Sequence, residues 1–243
     1  LVTGYDLGMN TDGGFGEYIR VPAAWCVPMP QGWSPRTAMI YGTAGLTAGL
    51  CVKKLLSMGA EPDQGKLVVS GASGAVGSVA VEILSGLGFD VVAVSGKADQ
   101  ADNLIKLGAR EVLGRDTFEP TKKPMLKPLF ANGIDTVGGA PLAEMLKQIW
   151  PGGSVSCCGL VAGPELETTV LPFILRGNNL LGVDSVEIPL AEKQLVWGRL
   201  SGDWSCPVTE AAARTVGRSD LGITLDAFLK GQSVGKILLD HSL

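Results

Sequence analysis

Residues 68–100 read VVSGASGAVGSVAVEILSGLGFDVVAVSGKADQ. Three glycines, Gly71, Gly74 and Gly77, stand three apart between an apolar run and a stretch with helical spacing. The run Leu67, Val68, Val69 is continuous and apolar, as expected of a strand covered on both faces in a parallel sheet. After the glycines, Val76, Val79, Ala80, Ile83, Leu84 and Leu87 recur at three- and four-residue intervals and share one helical face. A second apolar run follows at 91–94. Strand, glycine turn, amphipathic helix, strand is the repeating unit of a parallel α/β sheet.

The alternation continues on both sides of this unit. Upstream, Ser34 and Pro35 are a plausible N-cap and first helical position, opening an Ala-rich helix that runs to residues 58–59 with a break expected near 42–45. Downstream, helices are expected around 101–107 and 142–149, and strands at 111–113, 134–137, 154–158 and 180–183. Six strands with intervening helices predict a doubly wound parallel sheet of the Rossmann type, occupying residues 34–205. Residues 1–33 look like short strands and turns, with a strand at 18–21. A helix at 221–229 and a strand at 236–239 fall outside the sheet pattern, and residues 206–243 are assigned to the first subdomain. The opening stretch LVTGYDLGMNTDGG is a poor start for a domain, so a preceding N-terminal portion is expected.

A chain of 243 residues, 46% hydrophobic and 18% charged, can bury a full core. Its net charge of −4 provides no broad basic field for a nucleic-acid backbone or an anionic membrane. No apolar stretch approaches the roughly 18 residues of a membrane span, and no signal segment opens the chain, so a cytoplasmic setting is expected. The five cysteines are odd in number and mostly embedded in apolar runs, which argues for reduced, packed thiols.

In a dinucleotide site the strand-to-helix turn must bend sharply, let the pyrophosphate touch backbone, and let helix pack close to strand. Here the turn reads Ala72-x-Gly74-x-x-Gly77, with Gly71 one place earlier than the usual first glycine. The helix start offers unpaired N–H groups and a partial positive end to phosphates. About 20 residues on, where an NAD site carries an acid for the ribose 2′-hydroxyl, stand Ser95, Gly96 and Lys97. A hydroxyl, an open amide and an ammonium suit a 2′-phosphate, so NADPH is expected rather than NADH. Asp99 lies past the strand end and is expected to face water.

With these residues in view, the sequence resembles the medium-chain dehydrogenase/reductase superfamily in its zinc-free quinone-oxidoreductase branch, and more narrowly the YhdH/AcuI group of NADPH-dependent acryloyl-CoA reductases. The segments that carry the likeness are GTAGLTAGLCV (42–52), VVSGASGAVGS (68–78), VVAVSGK (91–97), LGAREVLGRD (107–116), IDTVGG (134–139), CCGLVAG (157–163) and TTVLPFILRGNNLLGVDSV (168–186). The resemblance implies that Ser73, Gly74, Ala75 and Val76 cradle the pyrophosphate. It implies that Ser95, Gly96, Lys97 and Arg115 take the 2′-phosphate end, and that Leu160, Ile174 and Ser185 border the nicotinamide. Read without it, Leu160 and Ile174 are core residues. It also makes residues 1–33 the end of a GroES-like β-barrel substrate domain, 206–243 the return to it, and residues 168–183 a dimer-forming edge in a homodimer. One departure is that the group's final asparagine contact falls on Gly231.

The implied reaction moves hydride to the β carbon of an activated C=C while a thioester carbonyl accepts charge; the protein supplies orientation and polarisation. No metal is called for: His241 is the one histidine, no C-x-x-C pair is present, and Cys157-Cys158 is read as packing. Tyr5, Tyr18 and Tyr41 are each first a structural residue; Tyr41, beside the Gly42–Gly45 break, is the candidate proton donor, with water or a residue outside the chain as alternatives. Three functions stay open: an NADPH-dependent acryloyl-CoA reductase, a quinone or alkenal reductase acting on an enone or quinone, and a non-catalytic cofactor-binding fragment.

Overall fold

The computed structural model describes residues 1–230, 232 and 235–243. The first 33 residues are irregular, a series of turns with one isolated bridge between Leu7 and Thr11 and one three-residue 3-10 helix at Ala23–Trp25. The strand expected at 18–21 is not formed. Its hydrogen-bonding groups have no described strand alongside, and Tyr18 is 92% exposed.

Regular structure begins with α1 (Pro35–Ser57), where the Ser34 hydroxyl accepts from the Thr37 N–H at 3.1 Å and proline stands in the first turn. Gly42, at φ 51° and ψ −155°, breaks this helix where the sequence places the break. Then come β1 (Leu67–Ser70), α2 (Ala75–Gly86), β2 (Val91–Ser95), α3 (Ala101–Lys106), β3 (Glu111–Gly114), β4 (Asn132–Asp135), α4 (Gly139–Leu146), β5 (Ser154–Cys157), α5 (Leu171–Arg176), β6 (Asn179–Gly182) and α6 (Leu190–Leu200). The six strands form one sheet in the order β3-β2-β1-β4-β5-β6, and every pairing is parallel. The strand order reverses between β1 and β4, the crevice where open α/β sheets bind ligands.

Neighbouring residues of β1 point to opposite layers. Val69 joins Leu46, Leu50, Val79, Ile83, Trp197 and Trp204 under α1, α2 and α6, whereas Val68 joins Val92, Met145, Leu146, Ile149 and Phe130 on the other face. Each such side chain contributes roughly 1.5–3 kcal/mol by leaving water. β4 and α4 begin two and three residues earlier than their spacing suggested. Asn132, polar yet buried, holds its place in β4 by accepting from the Ser154 N–H at 2.9 Å.

The tail builds α7 (Pro207–Ala212), β7 (Arg214–Val216), α8 (Leu221–Leu229) and β8 (Ile237–Leu239), with β7 and β8 paired in parallel as a second, small sheet. The buried Glu82 carboxylate of α2 accepts from the Val208 and Thr209 N–H groups and the Thr209 hydroxyl, fixing α7 to the main domain.

Candidate active site at the glycine turn

The carboxyl ends of β1 and β2 converge on the head of α2. Gly71 takes φ +59°, and a Cβ there would lie 2.9 Å from Val137 Cγ2. A Cβ on Gly77 would lie 2.7 Å from the Ala72 Cα, so the third glycine lets α2 press against the turn. Gly74 is the N-cap; its side-chain position offers no capping oxygen, and the first intrahelical bond runs from the Ser78 N–H to the Gly74 carbonyl at 3.0 Å. The amides of Ala75, Val76 and Gly77 precede that bond and open a twelve-residue helix at its positive end. Gly74 and Ala75 are exposed there, Ser73 and Val76 half-buried.

Beside this head, the hydroxyls of Ser73 and Ser95 share a hydrogen bond of 2.8 Å, and Ser95 Oγ accepts from the Lys97 amide at 3.0 Å. Arg115 arrives from the turn after β3 and lays its guanidinium where a Cβ of Gly96 would be. Ser95, Gly96, Lys97 and Arg115 are therefore brought together, while Asp99 is exposed and accepts from the Gln100 side chain. The structure adds Lys236, which the sequence reading did not single out. Its Nζ donates to the Ala75 carbonyl at 2.9 Å in the first turn of α2, and burial pushes its ammonium down to about 8. That place is filled from 161 positions away, by the residue just before β8, so spacing alone carried no signal.

On the β4 side, the fully buried Asp135 carboxylate accepts from the Ser70 hydroxyl at 2.7 Å and the Gly138 amide at 2.8 Å. Burial raises its pKa, and these bonds hold it back. This network ties the ends of β1 and β4 across the crevice and was not read from the sequence. Leu160 and Ile174, which the resemblance sets beside the nicotinamide and which would otherwise read as core, are 67% and 69% exposed. They follow β5 and sit on α5, at the end of the sheet where Ser185 follows β6. The position of the expected last cofactor contact, Gly231, lies outside the described residues.

Tyr41, the candidate proton donor, is committed elsewhere. Its hydroxyl donates to Glu210 Oε1 at 2.9 Å and accepts from the Cys206 amide at 2.7 Å, and its ring stacks on Trp33 at 4.8 Å. Burial, with the negative partners, drives its pKa far above the ordinary tyrosine value.

Acrylyl-CoA reductase AcuI of Ruegeria pomeroyi is 43% identical over 242 residues, covering 99% of this chain and 73% of its own length. The Bacillus subtilis protein YhfP, named as a quinone oxidoreductase, is 47% identical over 204 residues, covering 84% of this chain and 62% of its own length. The crystal structure of the yhdH oxidoreductase from Salmonella enterica in complex with NADP superposes with a TM-score of 0.95 at 45% identity, covering 98% of this chain and 74% of that one. The Bacillus subtilis yhfP structure, with NAD bound, superposes with a TM-score of 0.94 at 42% identity, covering 98% and 73%. The chain thus spans between 62% and 74% of the length of these relatives. Residues 75–198, from the head of α2 to the end of the nucleotide-binding sheet and into α6, match the family described as zinc-binding dehydrogenase, and the chain belongs to that family.

Proposed function

We propose that this chain is an NADPH-dependent oxidoreductase that reduces an activated carbon–carbon double bond, with acryloyl-CoA as substrate and propanoyl-CoA as product. One observation carries the reading: at the end of β2, where an acid would select NADH, the Arg115 guanidinium lies across Gly96 beside the open head of α2. Likeness to a relative named acrylyl-CoA reductase and to an NADP complex supports the same choice.

The cradle fits a dinucleotide, because a side chain at Gly77 would collide with the turn's own atoms, one at Gly71 would collide with Thr136 and Val137 after β4, and the first α2 amides are unpaired by a side-chain cap. The amides of Ala75 and Val76, with Ser73 and Gly74, hold the pyrophosphate; Lys236 adds positive charge at the same turn. Ser95, Gly96, Lys97 and Arg115 hold the 2′-phosphate, and Leu160, Ile174 and Ser185 border the nicotinamide. When bound, the reduced nicotinamide supplies the hydride. Exposed Leu160 and Val161 would exclude water once a substrate covers them. With Tyr41 committed to Glu210 and Cys206, the Tyr5 hydroxyl to the Ile188 carbonyl, and Tyr18 92% exposed beside Arg218 and His241 rather than at the glycine turn, the proton for the α carbon is assigned to water.

Among the described residues no group of three or more His, Cys, Asp or Glu lies close enough to hold a metal ion, and no step is assigned to a metal. We assign residues 1–33 and 206–243 to the substrate-side subdomain, and 34–205 to the cofactor domain. The exposed Val170 and Leu175, next to the unpaired edge of β6, support a homodimer across that edge. No described helix is long and apolar enough to cross a membrane, and the five cysteines are free thiols, which supports a cytoplasmic setting.

The test is kcat/KM of the purified chain, with NADPH, for acryloyl-CoA against 1,4-benzoquinone. Preference for the thioester is expected. Preference for the quinone would favour the second reading, a quinone or alkenal reductase, which the 47% identity to YhfP supports. NADPH binding without turnover of either would make the chain a cofactor-binding fragment.

A further inference from the structure

Lys193, on α6, is 0% exposed, and the chemistry above makes no use of it. Its Nζ donates to the Thr3 carbonyl at 2.6 Å and to the Val186 carbonyl at 2.9 Å, and lies 3.3 Å from the centroid of the Tyr5 ring. Dehydrating an ammonium is expensive, and an apolar side chain of similar volume would fill this space at lower cost. What an apolar side chain cannot do is hold two carbonyls from distant segments in one geometry.

Those carbonyls belong to the two halves of a clamp. Thr3 leads into Gly4, which passes at φ +71° so close to the 184–188 loop that a Cβ would lie 2.7 Å from the Val186 Cα. The Tyr5 amide donates to the same Val186 carbonyl at 3.2 Å, its hydroxyl reaches the Ile188 carbonyl at 3.3 Å, and its ring stacks on Trp25. From the other side, the Asp184 carboxylate accepts from the Val186 amide at 2.7 Å. Asp184 and Glu187 are the acids near the ammonium, and burial holds it below the usual lysine range. Ser185 sits in the middle of this doubly held loop, its carbonyl 3.1 Å from the Cβ position of Gly4.

We propose that Lys193 is a positioning residue: by joining the Thr3 and Val186 carbonyls it fixes the Ser185 loop, so that the nicotinamide half of the cofactor meets a preformed wall. The inference rests on the cofactor reading above. It predicts an effect confined to that half. A mispositioned wall leaves the adenosine end untouched, weakens the whole dinucleotide, and slows the chemical step, where a displacement near 1 Å costs about a hundredfold.

The experiment compares the dissociation constants of NADPH and of adenosine 2′,5′-bisphosphate, which has the phosphorylated adenosine but no nicotinamide, for wild type, Lys193→Met and Lys193→Arg. Turnover of acryloyl-CoA is measured alongside. Lys193→Met is expected to weaken NADPH about tenfold, to lower kcat about a hundredfold, and to leave the bisphosphate within about twofold; Lys193→Arg restores most of the NADPH affinity. Tyr5→Leu, which removes the ring under Nζ, gives the same split in milder form should Lys193→Met fail to fold. Equal weakening of both ligands, or no weakening of either, in a folded variant would reduce Lys193 to a structural strut and overturn the proposal. A wild-type chain that binds neither ligand would instead overturn the cofactor reading, and this inference with it.

Discussion

Replacing Gly96 with alanine is expected to weaken NADPH while sparing NADH. Gly96 is not in the left-handed region, so alanine is tolerated by the backbone, but its Cβ would fall inside the Arg115 guanidinium. Arg115 is exposed and long, so it swings away and the fold stays intact. Ordinary contact with the new Cβ requires a retreat of roughly 1.5 Å. For a guanidinium facing a phosphate dianion, moving from about 4 to about 5.5 Å removes about 2 kcal/mol at an effective dielectric of about 20, and about 0.5 kcal/mol in open water. A middle value corresponds to about tenfold in affinity. Isothermal titration of both nucleotides measures it. The loss should shrink as salt is added, because the site is open to counterions. Arg115→Ala should give the same loss, and the double variant should add little to either single one. An unchanged ratio of NADPH to NADH affinity in folded Gly96→Ala would refute Arg115 as the phosphate ligand.

Two further outcomes are expected. Lys236 titrates near 8 in the folded chain against 10.5 unfolded. The unfolded state therefore holds more protons across that window, and stability rises with pH through it. NADPH affinity should move the opposite way, falling as pH passes about 8, and in Lys236→Met it should be weaker at neutral pH and flat over the same range; an unaltered pH profile in that variant would remove Lys236 from the site. Tyr41→Phe strands the buried Cys206 amide, which costs about 1–3 kcal/mol, or roughly 2–4 °C in Tm per kcal/mol for a chain of this size. Its kcat should stay within about twofold of wild type, and a large fall in kcat at unchanged Tm would restore Tyr41 as the proton donor.

Local chemistry was enough to read the sheet. Runs such as 67–69 and 91–94 are apolar on both faces because helices cover both faces, and the face of α2 repeats with helical spacing because only one side meets the sheet. The Gly71–Gly77 turn was legible for the same reason, since Gly74 and Gly77 answer contacts within the turn and Gly71 a left-handed φ of its own, although the side chains that crowd Gly71, Thr136 and Val137, come from just after β4. Residues whose roles depend on distant partners were not. Apart from the resemblance, Leu160 and Ile174 read as core, because apolarity says nothing about which end of a sheet a segment faces. Tyr41 read as a possible acid because Cys206 and Glu210, its partners, arrive from 165 and 169 residues away. The expected strand at 18–21 had the right residue types and no described strand alongside it. Neither Lys193 nor Lys236 stands out in the sequence, since a buried lysine is written with the same letter as a surface one.

The bond from Lys236 to Ala75 also orders events during synthesis. The turn, its helix and the first strands are translated long before β8, and they can collapse as soon as they leave the ribosome. Until the chain has been made past Lys236, the head of α2 lacks the cation that the finished domain supplies. Under the proposed function, nucleotide affinity is expected to mature late, a domain already folded around its sheet holding its dinucleotide only loosely until β8 docks.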